Sequence, residues 1–295
     1  MTGLLYRVKS KLSIRAHRRV RGLLDGEYAS VMHGKSHEFE ELRPYVPGDE
    51  VRDIDWKATA RNGTPYIRLY VAMRKHLVTF VVDTGRNMAA IGASGEPKRE
   101  TAVLVAGIVG YLAHRHGDHV SLVFGDADGV HSMPGAGTES HVEQVLGRIK
   151  ARAVPDAGLS DLDRLLSYIA RRTRRRSILV IISDDEVIDD DRARMLRRLR
   201  AQHELLWVSI ADADPLDPGW QGNQVLDIAD GEQLPEFLQR DSALHREFAS
   251  SVAAAESATI DKLESLGITG VRVTGPDDAV SGVFRLLERH NSGRR

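Results

Sequence analysis

The sequence predicts a doubly wound α/β protein with a mainly parallel sheet, and three observations carry that prediction. Four apolar, β-branched runs, Leu77–Val82, Val120–Phe124, Ile178–Ile182 and Leu205–Ile210, have the near-continuous hydrophobicity of strands buried on both faces. Helical stretches over Pro97–His116, Glu139–Lys150, Ser160–Arg171 and Ile188–Ala201 separate or follow them. Such βαβα alternation places helices on both faces of a parallel sheet. Finally, 295 residues that are 42% hydrophobic and 28% charged have ordinary globular composition and enough length for a large core.

Composition also excludes several chemistries. There is no cysteine, so disulfides, thiol catalysis, iron–sulfur clusters and thiolate zinc sites are ruled out together. A reducing cytoplasm is the expected location, since no secretory signal pattern opens the chain and no apolar run approaches the ~20 residues of a membrane span. The net charge of −1 conceals an asymmetry: residues 1–76 hold 15 Lys and Arg against 9 Asp and Glu, whereas the remainder holds 26 against 33. A basic N-terminal segment, 1–76, and an α/β domain, 77–295, are the expected divisions.

In chain order, Leu4–Leu24 reads as one basic amphipathic helix. Leu5, Val8, Leu12, Ala16, Val20 and Leu24 recur at helical spacing among seven Lys and Arg. This stripe packs on the protein itself or suits an anionic membrane surface; nucleic acid is not expected as a partner. Residues 30–62 are rich in polar and turn residues, with Pro47-Gly48 set for a type II turn. Tyr66–Val71 alternates as a half-buried strand should. After the four buried strands, a helical region over Leu234–Leu266 precedes a last strand, Val271–Thr274, and a final helix, Ala279–His290.

Ligands of open α/β sheets bind at the carboxyl ends of strands. Two strands here run into carboxylates, the first into Asp83-Thr84-Gly85-Arg86-Asn87 and the second into Asp184-Asp185-Glu186. Between them in sequence, Gly135-Ala136-Gly137-Thr138 offers a hydroxyl at the start of a helix. Carboxylates, a hydroxyl and an amide oxygen form a hard donor set suited to Mg²⁺ or Mn²⁺. The competing reading is that Asp and Thr simply cap helices at strand–helix turns. No P-loop, no GxGxxG after a strand and no GxSxG elbow is present. His114, His116 and His119 read as surface or capping residues, and the Arg171–Arg176 run as a solvated face.

One stretch is more specific: Gly34, Ser36, Glu38-Phe39, Leu42-Arg43, Tyr45, Pro47-Gly48-Asp49, Val51-Arg52, Ile54-Asp55-Trp56, Ala58 and Ala60-Arg61. It resembles the signature of the bacterial family called domain of unknown function 58. That resemblance implies a von Willebrand factor type A-like domain following the signature. It also implies a metal-ion-dependent adhesion site, whose ligands fall here on Asp83, Asn87, Thr138 and Asp184. Gly85 departs from the pattern, because it replaces a hydroxyl ligand, and Asn87 supplies an amide oxygen in place of another. Mg²⁺ is therefore expected to bind weakly if at all, with Asp83, Asn87, Thr138 and Asp184 converging in one cleft. Arg86, between them, offers an internal cation instead.

Within the signature, Phe39, Leu42, Tyr45, Val51, Ile54 and Trp56 are expected to pack on the sheet domain, with Trp56 buried. Arg43, Asp49, Arg52, Asp55, Trp56 and Arg61 are the expected partner-binding set, and the same charges also suit pairing among themselves. Family resemblance implies a MoxR-type AAA+ ATPase as partner, in protein maturation or complex assembly with a client the sequence does not name. The expected function is a non-enzymatic interaction module. Its alternative is a metal-dependent phosphoester hydrolase in which Asp83 and Asp184 hold the ion and Asp185 is the base.

Overall fold

The structure, a computed structural model, describes residues 3–15, 18–33, 41–69, 75–220, 225–233 and 242–293. Six strands build the central sheet: β3 (Leu77–Asp83), β4 (His119–Asp126), β5 (Gly129–Ala136), β6 (Ile178–Ser183), β7 (Glu204–Ile210) and β8 (Thr269–Val273). Their order is β5-β4-β3-β6-β7-β8, parallel throughout except that β5 runs antiparallel to β4. Strand order reverses between β3 and β6, the switch point at which such sheets bind ligands. Paired in register at Val82 and Ile182, these two strands bring Asp83 and Asp184 to one end of the sheet.

Alternation along the strands fills two cores. Val78, Phe80, Val82, Val180, Ile182, Leu206 and Val208 face α4 (Lys98–Arg115), α5 (Glu139–Arg152) and α9 (Ala279–Ser292). Val81, Leu179, Ile181, Leu205 and Trp207 face α6 (Leu162–Arg172), α7 (Asp190–Arg200) and the end of α8 (Ser242–Ser265). Residues 234–241 of the expected helical region lie outside the described residues.

The sequence pattern missed β5. Its residues, Gly129-Val-His-Ser-Met-Pro-Gly-Ala, are exposed or half-buried and include Pro134, which an edge strand tolerates because one side of it needs no ladder donor. Among the described residues, no helix is long and apolar enough to cross a membrane.

The expected single N-terminal helix is two, α1 (Leu4–Arg15) and α2 (Arg18–His33). Leu5, Val8 and Leu12 of α1, with Leu24, Tyr28 and Val31 of α2, are buried in the first core. Ala16 and the side chain of Val20 lie outside the described set. Helix α1 sits tightly on α4, where a Cβ at Gly107 would come within 2.4 Å of the Val8 side chain. Its first turn is held as well, since the Leu4 and Leu5 N–H groups each donate to the Glu143 carboxylate at 2.7 Å. Among the described residues, the apolar stripe is thus spent on the protein's own core.

The signature segment builds a small unit of its own. Strands β1 (Glu41–Pro44) and β2 (Tyr66–Leu69) pair antiparallel, and α3 (Trp56–Asn62) with a 3₁₀ turn at Val51–Asp53 lies between them in sequence. Gly48 takes φ +112°, the left-handed backbone that a type II turn demands. Phe39 lies outside the described residues. Leu42, Val51 and Trp56 are exposed, which corrects the expectation that they are packed away, while Tyr45 and Ile54 are half-buried.

Candidate functional site

At the carboxyl end of the switch-point strands, Asp83, Asp184 and Glu186 each place a carboxylate oxygen within 4.8 Å of the others. Asp83 is 0% exposed, and Asp184 is also buried. Asp83 Oδ1 accepts from the Gly85 N–H at 2.8 Å, but Asp83 Oδ2 and Asp184 Oδ1 have no hydrogen-bond partner. Two further buried oxygens are unpartnered: Asn87 Oδ1, in the 3₁₀ turn Arg86–Ala89, and Ser160 Oγ. Unsatisfied buried oxygens are costly, and several in one place point to a ligand.

Ser160 reaches the site because the loop before α6 runs against the loop after β3. Arg86 N–H donates to the Gly158 carbonyl at 2.9 Å, and a Cβ on Gly85 would lie 2.6 Å from the Ser160 backbone. Gly85 is therefore required for this close approach and is more than a missing ligand.

Thr138 is elsewhere. Because β5 runs antiparallel, its end returns to the amino edge of the sheet. Gly137 there packs beside His119, the first residue of β4, and its carbonyl pairs with His114 Nδ1 at 2.8 Å. Thr138 caps α5, accepting from the His141 N–H at 3.2 Å. The hydroxyl on the second loop is Ser160, which sequence reasoning missed; the Gly158-Leu159-Ser160-Asp161 turn ahead of a helix was its signal. Glu186, two residues after Asp184, joins the carboxylates.

The internal cation is Lys98, not Arg86. Arg86 Nε donates to the Ala157 carbonyl, whereas Lys98, 2% exposed, pairs with Asp184 at 3.4 Å and with Asp212. A lysine in the first turn of a helix opposes the macrodipole, and that misfit was its sequence signal. Arg192 pairs with Glu186 at 2.6 Å and with Asp163 at 2.9 Å.

Burial pushes the Asp83 carboxyl up to about 7; Asp184 and Glu186 add repulsion, while the nearby Ser160 hydroxyl and the Gly85 N–H oppose the rise. Burial likewise raises Glu186, with Arg192 opposing, and raises Asp212, with Lys98 opposing. This donor set fits a hard divalent cation. Bonds of ~2.1–2.6 Å let one ion bridge oxygens up to about 5 Å apart. Asp83, Asp184 and Glu186 would hold it, with Ser160 as a neutral donor beside Asp83. The base required by a phosphoester hydrolase, Asp185, is taken: Arg272 binds both of its oxygens at 2.6–3.0 Å.

In the signature unit, the expected partner-binding residues divide in two. Asp55 is buried and caps α3, accepting from the Lys57 and Ala58 N–H groups at 2.9 Å. Arg43 and Asp49 form a two-pronged pair at 2.7 and 2.9 Å, and Asp49 also accepts from the Val46 N–H. These three hold the unit's shape. Arg52, Trp56 and Arg61 are exposed, Trp56 at 67%.

The chain is 27% identical over 283 residues to an uncharacterized protein of Mycobacterium tuberculosis (strain ATCC 25618 / H37Rv), covering 96% of this chain and 88% of that one. A Mycobacterium bovis protein, also uncharacterized, matches equally. Among solved structures, similarity extends to a von Willebrand factor type A protein from Catenulispora acidiphila (TM-score 0.44, 11% identity, 74% of this chain and 43% of that chain). It extends also to an aerotolerance-related membrane protein from Bacteroides fragilis NCTC 9343 (TM-score 0.44, 12% identity, 72% of this chain and 99% of that chain). The family described as protein of unknown function DUF58 matches residues 41–258, well over half of the sequence, and the chain belongs to that family.

Proposed function

We propose that this protein is a non-enzymatic interaction module that docks a MoxR-type AAA+ ATPase through its signature unit. The identity of that partner rests on the family resemblance; the surface rests on geometry. One observation carries the reading: Trp56 is 67% exposed on the first turn of a helix whose cap, Asp55, is buried. Buried and paired residues of the signature thus keep a rigid frame that presents a large aromatic to solvent. Exposed Leu42, Val46 and Val51 occur in the same unit, with Arg52, Lys57 and Arg61 around them. Tryptophan and arginine dominate binding hot spots, and exposed apolar groupings with polar rims mark interaction sites.

The cluster at the carboxyl edge of the sheet is the second contact. When bound there, a divalent cation supplies an open coordination position for a partner's carboxylate. Asp83 and Asp184 orient the site, and Lys98 holds Asp184 from behind.

Co-purification with the ATPase tests the first contact. Trp56→Ala, and charge reversal at Arg52 and Arg61, are expected to weaken association at least tenfold. Retention unchanged by both would overturn the docking surface. For the second, millimolar Mg²⁺ is expected to raise the melting temperature of wild type and not of Asp184→Asn. Metal-dependent phosphoesterase turnover lost in Asp83→Ala would instead establish the hydrolase.

A further inference from the structure

The amino edge of the sheet, opposite the carboxylate cluster, carries a cavity of about 490 Å³. Glu204 and Thr269, the first residues of β7 and β8, border it together with Arg176, Arg200, Arg289 and His290. Its volume is that of a small-molecule site, roughly 300–1,000 Å³.

Charge in this cavity is unbalanced. Glu264 is taken by Arg289 at 2.5 Å, and Glu204 by His290 Nε2. Among the described residues, Arg176 and Arg200 make no ion pair with a carboxylate, and the lining sets three guanidinium groups against two carboxylates. Helix dipoles account for Arg200 and Arg289, which sit in the last turns of α7 and α9. They do not account for Arg176, which follows α6 by several residues and ends the Arg171–Arg176 run just ahead of β6.

Two of the guanidinium groups are also held in place. Arg200 Nε donates to the Gly267 carbonyl at 2.7 Å, and Gly267, at φ +66°, lets the group lie so close that a Cβ would meet Nη2 at 2.6 Å. Arg289 Nη1 donates to the Gly270 carbonyl at 3.3 Å. A guanidinium anchored by one edge has already lost much of its rotamer freedom, so less is lost when its remaining N–H groups meet a ligand. Beside them, Thr269 Oγ1 lies 2.9 Å from His290 Nδ1 and adds a hydroxyl to the lining.

We propose that this cavity binds a phosphate-bearing anion through Arg176 and Arg200, with Arg289 and Thr269 alongside. Planar guanidinium forks match phosphate oxygens two at a time, which favours this class over a simple halide or a lone carboxylate. The site stands apart from both the signature unit and the carboxylate cluster, so it does not depend on the function proposed above.

Calorimetric titration of the full chain at low ionic strength tests it, with inorganic pyrophosphate and ADP as soluble probes. Vesicles of phosphatidylcholine containing phosphatidic acid form the lipid arm. Saturable binding to at least one of the three is expected, weakened at least tenfold by Arg176→Gln and by Arg200→Gln. Arg200→Lys, which keeps the charge and loses the fork, is expected to weaken it as well. Arg148→Gln, an exposed arginine on α5, should bind as wild type does. Binding confined to vesicles would identify a lipid headgroup as the source, and binding to the soluble probes a free phosphate compound. Absence of saturable binding in all three arms, or equal weakening in Arg148→Gln, would overturn the proposal, provided that melting temperatures show every variant folded.

Discussion

Replacing Asp83 by asparagine should make the metal-free protein more stable, and more so as pH rises. Asp83 is 0% exposed, and its carboxyl is pushed from 3.8 to about 7, first by burial and then by Asp184 and Glu186. Between pH 4 and 7 the folded chain holds a proton that the unfolded chain has released, so raising pH through this window costs stability. Above about pH 7 the whole penalty is present, about 4 kcal/mol at ~1.4 kcal/mol for each factor of ten. The asparagine side chain would carry no charge, would still accept from the Gly85 N–H, and would offer an amide donor to the unpartnered oxygen of Asp184. The expected gain is near zero at pH 4 and up to about 4 kcal/mol at pH 8, or roughly 8 °C at ~2 °C per kcal/mol for a long chain. Thermal unfolding in chelator at pH 4, 6 and 8 measures it. An equal gain at all three values, or a less stable variant at pH 8, would refute the account of Asp83 as a buried charge held against its solvation.

Trp56→Ala, by contrast, should leave stability within about 0.5 kcal/mol of wild type by urea titration, because an exposed side chain leaves no cavity. A loss in the ~3–5 kcal/mol range of a buried aromatic would return Trp56 to the core. Lys98→Met should cost about 3–5 kcal/mol by the same measurement, since it strips the buried cation from Asp184 and Asp212; an unaffected or more stable variant would remove Lys98 from that role. Gly85→Ser, which restores the expected hydroxyl to the loop, should lower stability by about 1–3 kcal/mol and not improve Mg²⁺ binding, because its Cβ would meet the Ser160 backbone at 2.6 Å.

Buried strands were the legible part of the sequence. Val78 to Val82 and Ile178 to Ile182 can only be continuous apolar runs, because both faces of the sheet are covered, and that pattern survives in one sequence without help. Edge strand β5 was not legible: it buries little, so its residues obey no period, and the direction of the chain through Gly135 could not be read. Without that strand, Thr138 falls at the carboxyl edge instead of the amino edge where it lies, and Ser160 stays hidden. Trp56 failed for a related reason. Hydrophobicity does not by itself ensure burial, since much of a folded protein's surface is apolar, and Trp56 is part of that surface.

Charge explains why the carboxylate cluster tolerates its own repulsion. Asp83, Asp184, Glu186 and Asp212 face two cations, Lys98 and Arg192, and Arg192 is shared with Asp163. Four carboxylates against two cations leave an excess of two negative charges, three of the carboxylates clustered at the end of the sheet and Asp212 at its exposed rim. Without a ligand, the protein relieves part of that excess by keeping a proton on Asp83 up to about pH 7. A divalent cation would relieve all of it, but only by displacing that proton, since a carboxylate must be ionised to ligate. Proton and cation therefore compete for the same oxygens. Lys98 bears on both: it offsets part of the charge, yet it pairs with Asp184 Oδ2 and leaves Oδ1 unpartnered. The arrangement therefore keeps, at one edge of the sheet, a repulsion that only a proton or a cation on these oxygens would relieve.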